Sequence, residues 1–265
     1  MRNWTGWCLL AVGWFCLINI GCSGPASDGQ AIGEVDRNDR TDVEENIKDA
    51  SHRAADDHQS RHRSVSIDPA KIRFATFNIH MAREKSGEMA NELASGDCEQ
   101  AEKICKIIAD VRPDVLLICE LDQPGRSLSK FESYIRKTDS TLEFNYRFHA
   151  PFNTGEPSGV DFNNDGKSDG PADAFGFGKF PGQYGMVVLS RYPIDKKNVR
   201  TFQKFLWKDM PGMKWPTHPK TGKSFYSDKA KKIFRLSSKS HWDIPIQIGK
   251  QTIHFLVCHP TPPGF

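Results

Sequence analysis

Three polar side chains in this sequence each follow an apolar run. The runs are Ile72-Arg-Phe-Ala-Thr-Phe-Asn78, Asp114-Val-Leu-Leu-Ile-Cys-Glu120 and Thr252-Ile-His-Phe-Leu-Val-Cys-His259. A carboxylate and an amide oxygen suit a hard divalent cation, and an imidazole can donate a proton or a hydrogen bond to an anion. Taken singly, each residue has a second reading. Glu120 is costly to bury without a partner, so a structural salt bridge competes with a metal ligand. Asn78 can be a strand-end turn residue, and His259, set before Pro260, can be structural. Their shared position at the ends of strands favours one rim, because ligands of open α/β sheets bind at the carboxyl ends of strands.

A second oxygen-rich stretch is Asp161-Phe-Asn163-Asn-Asp165-Gly166-Lys167-Ser-Asp169. Asp161, Asn163, Asp165 and Asp169 stand at positions 1, 3, 5 and 9 of a calcium loop, with glycine at position 6. The twelfth position is Ala172 rather than glutamate, and Asp173 comes one residue late. Calcium binding and a metal-free Asx/Gly turn are both open. No helical pattern flanks the loop, which argues against a true EF-hand.

The elements around these residues alternate. Ile72 to Asn78 carries apolar side chains on both faces, as a strand inside a packed sheet does. Asp97 followed by Gln100 reads as a helix start, and Ala101, Ile104, Cys105, Ile108 and Val111 recur at helical spacing. Arg112-Pro113-Asp114 should end that helix, and Val115 to Leu121 is a second buried strand. Later strands are expected over 185–190, 237–248 and 252–259. Strand, helix, strand argues for an α/β layered domain. The stretches 151–181 and 193–230 are long and irregular, which marks function or disorder. Trp207, Trp215 and Trp242, with Lys204, Lys208, Lys214, Lys220 and Lys223, suggest a basic-aromatic surface, either for substrate or packed on itself.

Met1-Arg2 followed by the apolar stretch 7–20 fits an export signal better than a membrane span, which needs about 20 apolar residues. Gly21-Cys22 resembles the lipobox of bacterial lipoproteins, with Cys22 as the lipidated residue and the membrane as partner through that anchor. An exported chain, either a cell-envelope lipoprotein or secreted, is expected. Residues 23–67 are polar and alternate in charge, so they read as a disordered tether, and His52, His58 and His62 as part of it. The folded domain then runs from 68 to 265. Seven cysteines are present. Cys98, Cys105, Cys119 and Cys258 read as small core residues, with Cys119 and Cys258 on the buried face opposite the site residues that follow them. A hydrophobic content of 38% and mean hydropathy of −0.55 are low for a wholly folded chain, and a net charge of +3 is too small to indicate nucleic acid.

Four segments together resemble the endonuclease/exonuclease/phosphatase superfamily of deoxyribonuclease-like phosphoesterases. They are Ile72-Arg-Phe-Ala-Thr-Phe-Asn-Ile79, Pro113-Asp-Val-Leu-Leu-Ile-Cys-Glu-Leu121, Gln183-Tyr-Gly-Met-Val-Val-Leu-Ser-Arg-Tyr-Pro-Ile194 and His254-Phe-Leu-Val-Cys-His-Pro260, in the family's order. The resemblance implies an α/β (α+β) fold, a four-layer β-sandwich with outer helices. It implies Glu120 as ligand of Mg²⁺ or Mn²⁺, Asn78 as support to that metal and the phosphate, and His259 against the scissile phosphate. The substrate would be a phosphate ester of nucleic acid, lipid or sugar; no protein partner is inferred. The family's Gly-Asp-x-Asn and Ser-Asp-His motifs do not occur in the 265 residues. The chain is therefore expected to be a fragment, incomplete at the C-terminus and inactive by itself. The alternative is a non-catalytic surface protein that binds through its calcium-type loop.

Overall fold

The structure, a computed structural model, describes residues 71–260 and the backbone of Phe15–Gly21. The expected lipidation site Cys22, the expected tether 23–67 and its histidines lie outside the described residues, as does most of the expected export signal. Phe15–Gly21 forms an edge strand, β1, beside β2 (Lys71–Met81). With β3 (Val115–Leu121), β4 (Tyr146–Phe148) and β5 (Met186–Ser190) these make a five-stranded sheet in the order β1-β2-β3-β5-β4. Strands β2 and β3 run parallel, joined by a helical crossover, whereas β3, β5 and β4 are antiparallel neighbours.

Both faces of this sheet are buried, which is why β3 and β5 are almost continuously apolar. Ala75, Phe77, Ile79, Leu116 and Ile118 pack under three helices: α1 (Glu88–Ser95), α2 (Glu99–Val111) and α3 (Pro124–Thr138). Phe74, Val115, Leu117, Cys119, Met186 and Val188 face the other way, onto a second sheet. That sheet has three strands, β6 (Arg200–Thr201), β7 (His241–Ile248) and β8 (Gln251–Cys258), all antiparallel. Its inner side supplies Trp242, Ile244, Ile246 and Val257 to the shared core. On its outer side Asp243 is buried by Arg200 (Nε at 3.0 Å) and His254 (Nδ1 at 2.7 Å), while Leu256 is exposed. A short helix α4 (Asp228–Ile233), capped by the Ser227 hydroxyl, closes the second long loop. Two packed sheets with helices outside one of them agree with the expected sandwich. Among the described residues no helix layer covers the second sheet.

Several local expectations are corrected. Helix α2 starts after Cys98, which makes no side-chain cap, so Asp97 is not the N-cap. Trp242 is a core residue of β7 rather than part of a surface. Cys258 is exposed, because it lies on the outer face of β8, whereas Cys98, Cys105 and Cys119 are buried as expected. Helices α1 and α3 were not anticipated. The signal for α3 was available: Pro124 at its first turn and Leu128, Phe131 and Ile135 at helical spacing.

Candidate functional site

Parallel β2 and β3 finish side by side, so Asn78 and Glu120 leave the sheet together. Strict alternation would put Glu120 with Leu116 and Ile118 under the helices, and Asn78 with Phe74 on the opposite face. The register slips between Asn78↔Cys119 and Met81↔Leu121, placing two residues of β2 against one of β3. His80 (φ 50°) and Glu120 (φ 64°) absorb the slip in left-handed conformations. For non-glycine residues such conformations are costly and concentrate at functional sites. The slip turns the Glu120 carboxylate toward Asn78.

Around that carboxylate three groups converge. Asn78 Nδ2 donates to Oε1 at 2.9 Å, His80 Nδ1 lies 3.0 Å from Oε2, and His259 Nε2 lies 3.5 Å from Oε1. The backbone N–H of His80 donates to Asn78 Oδ1 at 3.0 Å, which fixes the amide so that it orients Glu120. His259 comes from the second sheet, delivered by β8, so the cleft is built across both sheets. Its side chain is largely buried, and its Nδ1 has no hydrogen-bond partner. The three residues read from sequence are therefore brought together.

Sequence reasoning missed two further members. His80 shares the Asn78 face of β2, an i, i+2 signal that was legible. Lys239, 7% exposed just before β7, has no sequence signal, since a lone lysine among serines reads as solvated. Burial pushes its ammonium pKa down, with the charges of Glu120 and Cys119 opposing. Its ammonium also lies 6.0 Å from the centre of the Tyr184 ring. Burial pushes the His259 imidazole down to about 4, the Lys239 charge adding to the effect and Glu120 opposing it. His259 is thus neutral near pH 7, a hydrogen-bonding group rather than a cation.

Behind this cluster, Asp122 ties the rim together. Its carboxylate accepts from the backbone N–H groups of Arg83 (2.7 Å) and Tyr184 (2.8 Å), and burial raises its pKa against those bonds. Gln183, also buried, donates to the Arg83 carbonyl at 2.7 Å and accepts from the Lys179 N–H at 2.7 Å. A close backbone approach fixes the remaining wall: a Cβ on Gly176 would overlap the Ser238 carbonyl, one residue before Lys239.

The donor set suits a hard cation held by few protein ligands. Mg²⁺ keeps several waters and takes one or two carboxylates plus substrate phosphate, and Glu120, oriented by the adjacent Asn78 amide, meets that demand. Among the described residues no group of three or more His, Cys, Asp or Glu side chains is placed to hold a metal ion together.

The Asp161–Asp169 loop stands apart. Asp161 accepts from the N–H groups of Asn164 (2.6 Å) and Gly166 (2.9 Å), and Asp165 from that of Lys167 (2.9 Å). Asp173, buried, accepts from Phe162 N–H at 2.9 Å and Gly170 N–H at 3.2 Å. The loop's own backbone thus takes up oxygens that a calcium ion would need.

The sequence pattern of the Endonuclease/Exonuclease/phosphatase family matches residues 75–257, more than half of the chain. The chain belongs to this family. Its members are in general hydrolases of phosphoesters that commonly use divalent metals. Among curated proteins and solved structures, none matches the chain. The matched span includes Asn78, His80, Glu120 and Lys239 and ends two residues before His259.

Proposed function

We propose that the cleft is the metal- and phosphate-holding half of an exported phosphoesterase centre, with Mg²⁺ or Mn²⁺ as its cation. A bound cation would supply Lewis-acid polarisation of a phosphoryl oxygen and offset the charge that develops on it. Glu120 would hold it, kept in orientation by Asn78 and His80. Lys239 would attract the phosphate: a buried ammonium is most easily retained where an anion comes to meet it. His259, neutral and close by, would hydrogen-bond a phosphate oxygen or the leaving group. The observation that carries this reading is the convergence on Glu120 of groups from both sheets, at the cost of two strained backbone residues.

Water activation needs groups that these residues do not supply, since neither Gly-Asp-x-Asn nor Ser-Asp-His occurs in the 265 residues. The chain by itself should therefore bind metal and phosphate yet turn over poorly. The test pairs two measurements on the 265-residue chain. Electron paramagnetic resonance should detect one Mn²⁺ site that Glu120→Gln removes. Hydrolysis of a chromogenic phosphodiester should be near background. Mn²⁺ binding indifferent to Glu120→Gln would overturn the assignment of the site. Brisk turnover abolished by the same substitution would overturn the need for further groups.

A further inference from the structure

The segment 202–236 connects the second sheet's first two strands and packs into an arm beside the cleft. Its base is clamped by one buried residue. Asn153 Nδ2 donates to the carbonyls of Gln203 (2.8 Å) and Ser237 (2.7 Å), while its Oδ1 accepts from Arg235 at 2.6 Å. Ser237 lies two residues from Lys239, so the clamp also fixes the arm to the cleft wall. The arm's two tryptophans, Tyr226 and Phe234 pack on one another. Trp207 lies 5.0 Å from Trp215 and 5.6 Å from Phe234, and Tyr226 lies 4.7 Å from Phe234. Arg235 sits 3.7 Å over the Phe175 ring.

What the arm offers to solvent is different. It contains eight lysines and one arginine against two aspartates, Asp209 and Asp228, in a chain whose total charge is only +3. Seven of the eight lysines are exposed. Among the described residues, four of the eight exposed large apolar side chains also belong to it: Phe202, Met210, Phe225 and Leu236. Around Met210 the chain makes successive tight turns, and 216–225 folds back as a small hairpin that carries Lys220 and Lys223 at its tip.

We infer that this arm docks the domain onto a membrane surface rich in anionic phospholipid, with the lysines at the headgroups and the apolar tips at the boundary of the acyl region. Lysines near such a surface gain attraction to its negative potential, and exposed apolar groups beside them gain by leaving water at the interface. Nucleic acid is the poorer fit. Single strands are bound through ring faces free to stack on bases, whereas the tryptophans and Tyr226 here are packed on each other. A polyanion in solution would also give Met210 and Phe225 nothing to bury against. The inference does not depend on catalysis by the cleft, and its test reads binding alone.

The full chain is sedimented with phosphatidylcholine vesicles, with and without about 30% phosphatidylglycerol. Binding should require the anionic lipid and weaken strongly as salt rises from about 0.1 M to about 1 M. The variant K208Q/K214Q/K220Q/K223Q should bind anionic vesicles about 100-fold more weakly. Met210→Ser with Phe225→Ser should weaken the binding that survives at high salt. Any contribution from the amino-terminal segment is common to all variants and cancels in these ratios. The salt dependence of the unaltered chain keeps the test decisive if a variant misfolds. Equal binding to neutral and anionic vesicles, or no change in the lysine variant, would overturn the inference. So would salt-sensitive binding to a DNA oligonucleotide with no response to anionic lipid.

Discussion

The Glu120 rim and the Asp161–Asp169 loop are both oxygen-rich, and both stand out in the sequence, yet the fold treats them in opposite ways. The rim gathers Asn78 and Glu120 from two parallel strands and His259 from another sheet. It accepts positive φ at His80 and Glu120, an unpartnered His259 nitrogen and a buried Lys239. The loop draws its polar groups from a few consecutive residues and satisfies them with its own N–H groups. Although Glu120 is partnered, the rim leaves a buried imidazole nitrogen and a buried ammonium that an anionic ligand can satisfy; the loop has met its own demand. Spacing in sequence therefore identifies a turn, whereas convergence at an energetic cost identifies a site.

The largest expected effect tests the rim's side of that contrast. Glu120→Gln should weaken Mn²⁺ binding by more than about 100-fold, beyond the loss typical of a residue that only supports a ligand. Asn78→Ala, which removes such a support, should cost about 10- to 100-fold. Titration calorimetry with Mn²⁺ gives both values. An equal loss in the two variants would make Asn78 a ligand rather than an orienting group.

Asn153→Ala should cost about 2–3 kcal/mol of stability by chemical denaturation, since the buried Ser237 carbonyl, the half-buried Gln203 carbonyl and Arg235 lose their partner together. Lys239→Met should behave in the opposite sense. Removing a buried ammonium that forms no ion pair or side-chain hydrogen bond among the described residues should leave stability unchanged or raise it by about 1 kcal/mol, while weakening phosphate binding in the presence of Mg²⁺. A large loss of stability in that variant would mean that the rim is ordinary scaffold.

The same substitution should move the His259 titration, because the Lys239 charge helps to hold it down. Above its usual value near 6.5 the imidazole is neutral whether the chain is folded or not, so it adds no pH dependence. As the pH falls from there toward about 4, the unfolded chain takes a proton that the folded one refuses, and stability falls. Below that value the loss is complete. NMR titration of the ring should show an upward shift in Lys239→Met, and the acid sensitivity should narrow with it. An unchanged titration would leave burial as the sole cause.

The two sheets differ in how far they could be read from sequence. β3 and β5 were plain because both faces are buried, and β2 because it alternates between two cores. Helix α2 was plain from its apolar spacing, while α1, short and without a side-chain cap, was not. Asn78, Glu120 and His259 were legible because each ends an apolar run. His80 was legible too, two residues past Asn78 on the same strand; the register slip that turns Glu120 toward both was not, since no local pattern reports it. Lys239 and Asn153 were hidden because their burial depends on chain packed from far away in sequence. Trp242 misled for the converse reason: its neighbours in sequence are polar, but strand alternation turns it into the core.

The smallest expected effect belongs to the loop, and it is the sharpest test of the comparison. Asp161→Ala should cost about 1 kcal/mol, because two backbone N–H groups lose an acceptor in a partly solvated turn. Calcium should barely matter. An ion that bound the folded chain would raise its stability in proportion to the logarithm of its concentration over its dissociation constant. To bind here it would have to displace the N–H groups now held by Asp161, Asp165 and Asp173, without the bidentate glutamate that supplies much of a calcium loop's affinity. Thermal unfolding in millimolar calcium, compared with a chelator, should therefore give midpoints within about 1 °C. A clear rise that Asp161→Ala abolishes would show that Asp173 exchanges its backbone partners for the ion. The loop would then be a second site with demand of its own, and the contrast with the rim would fail.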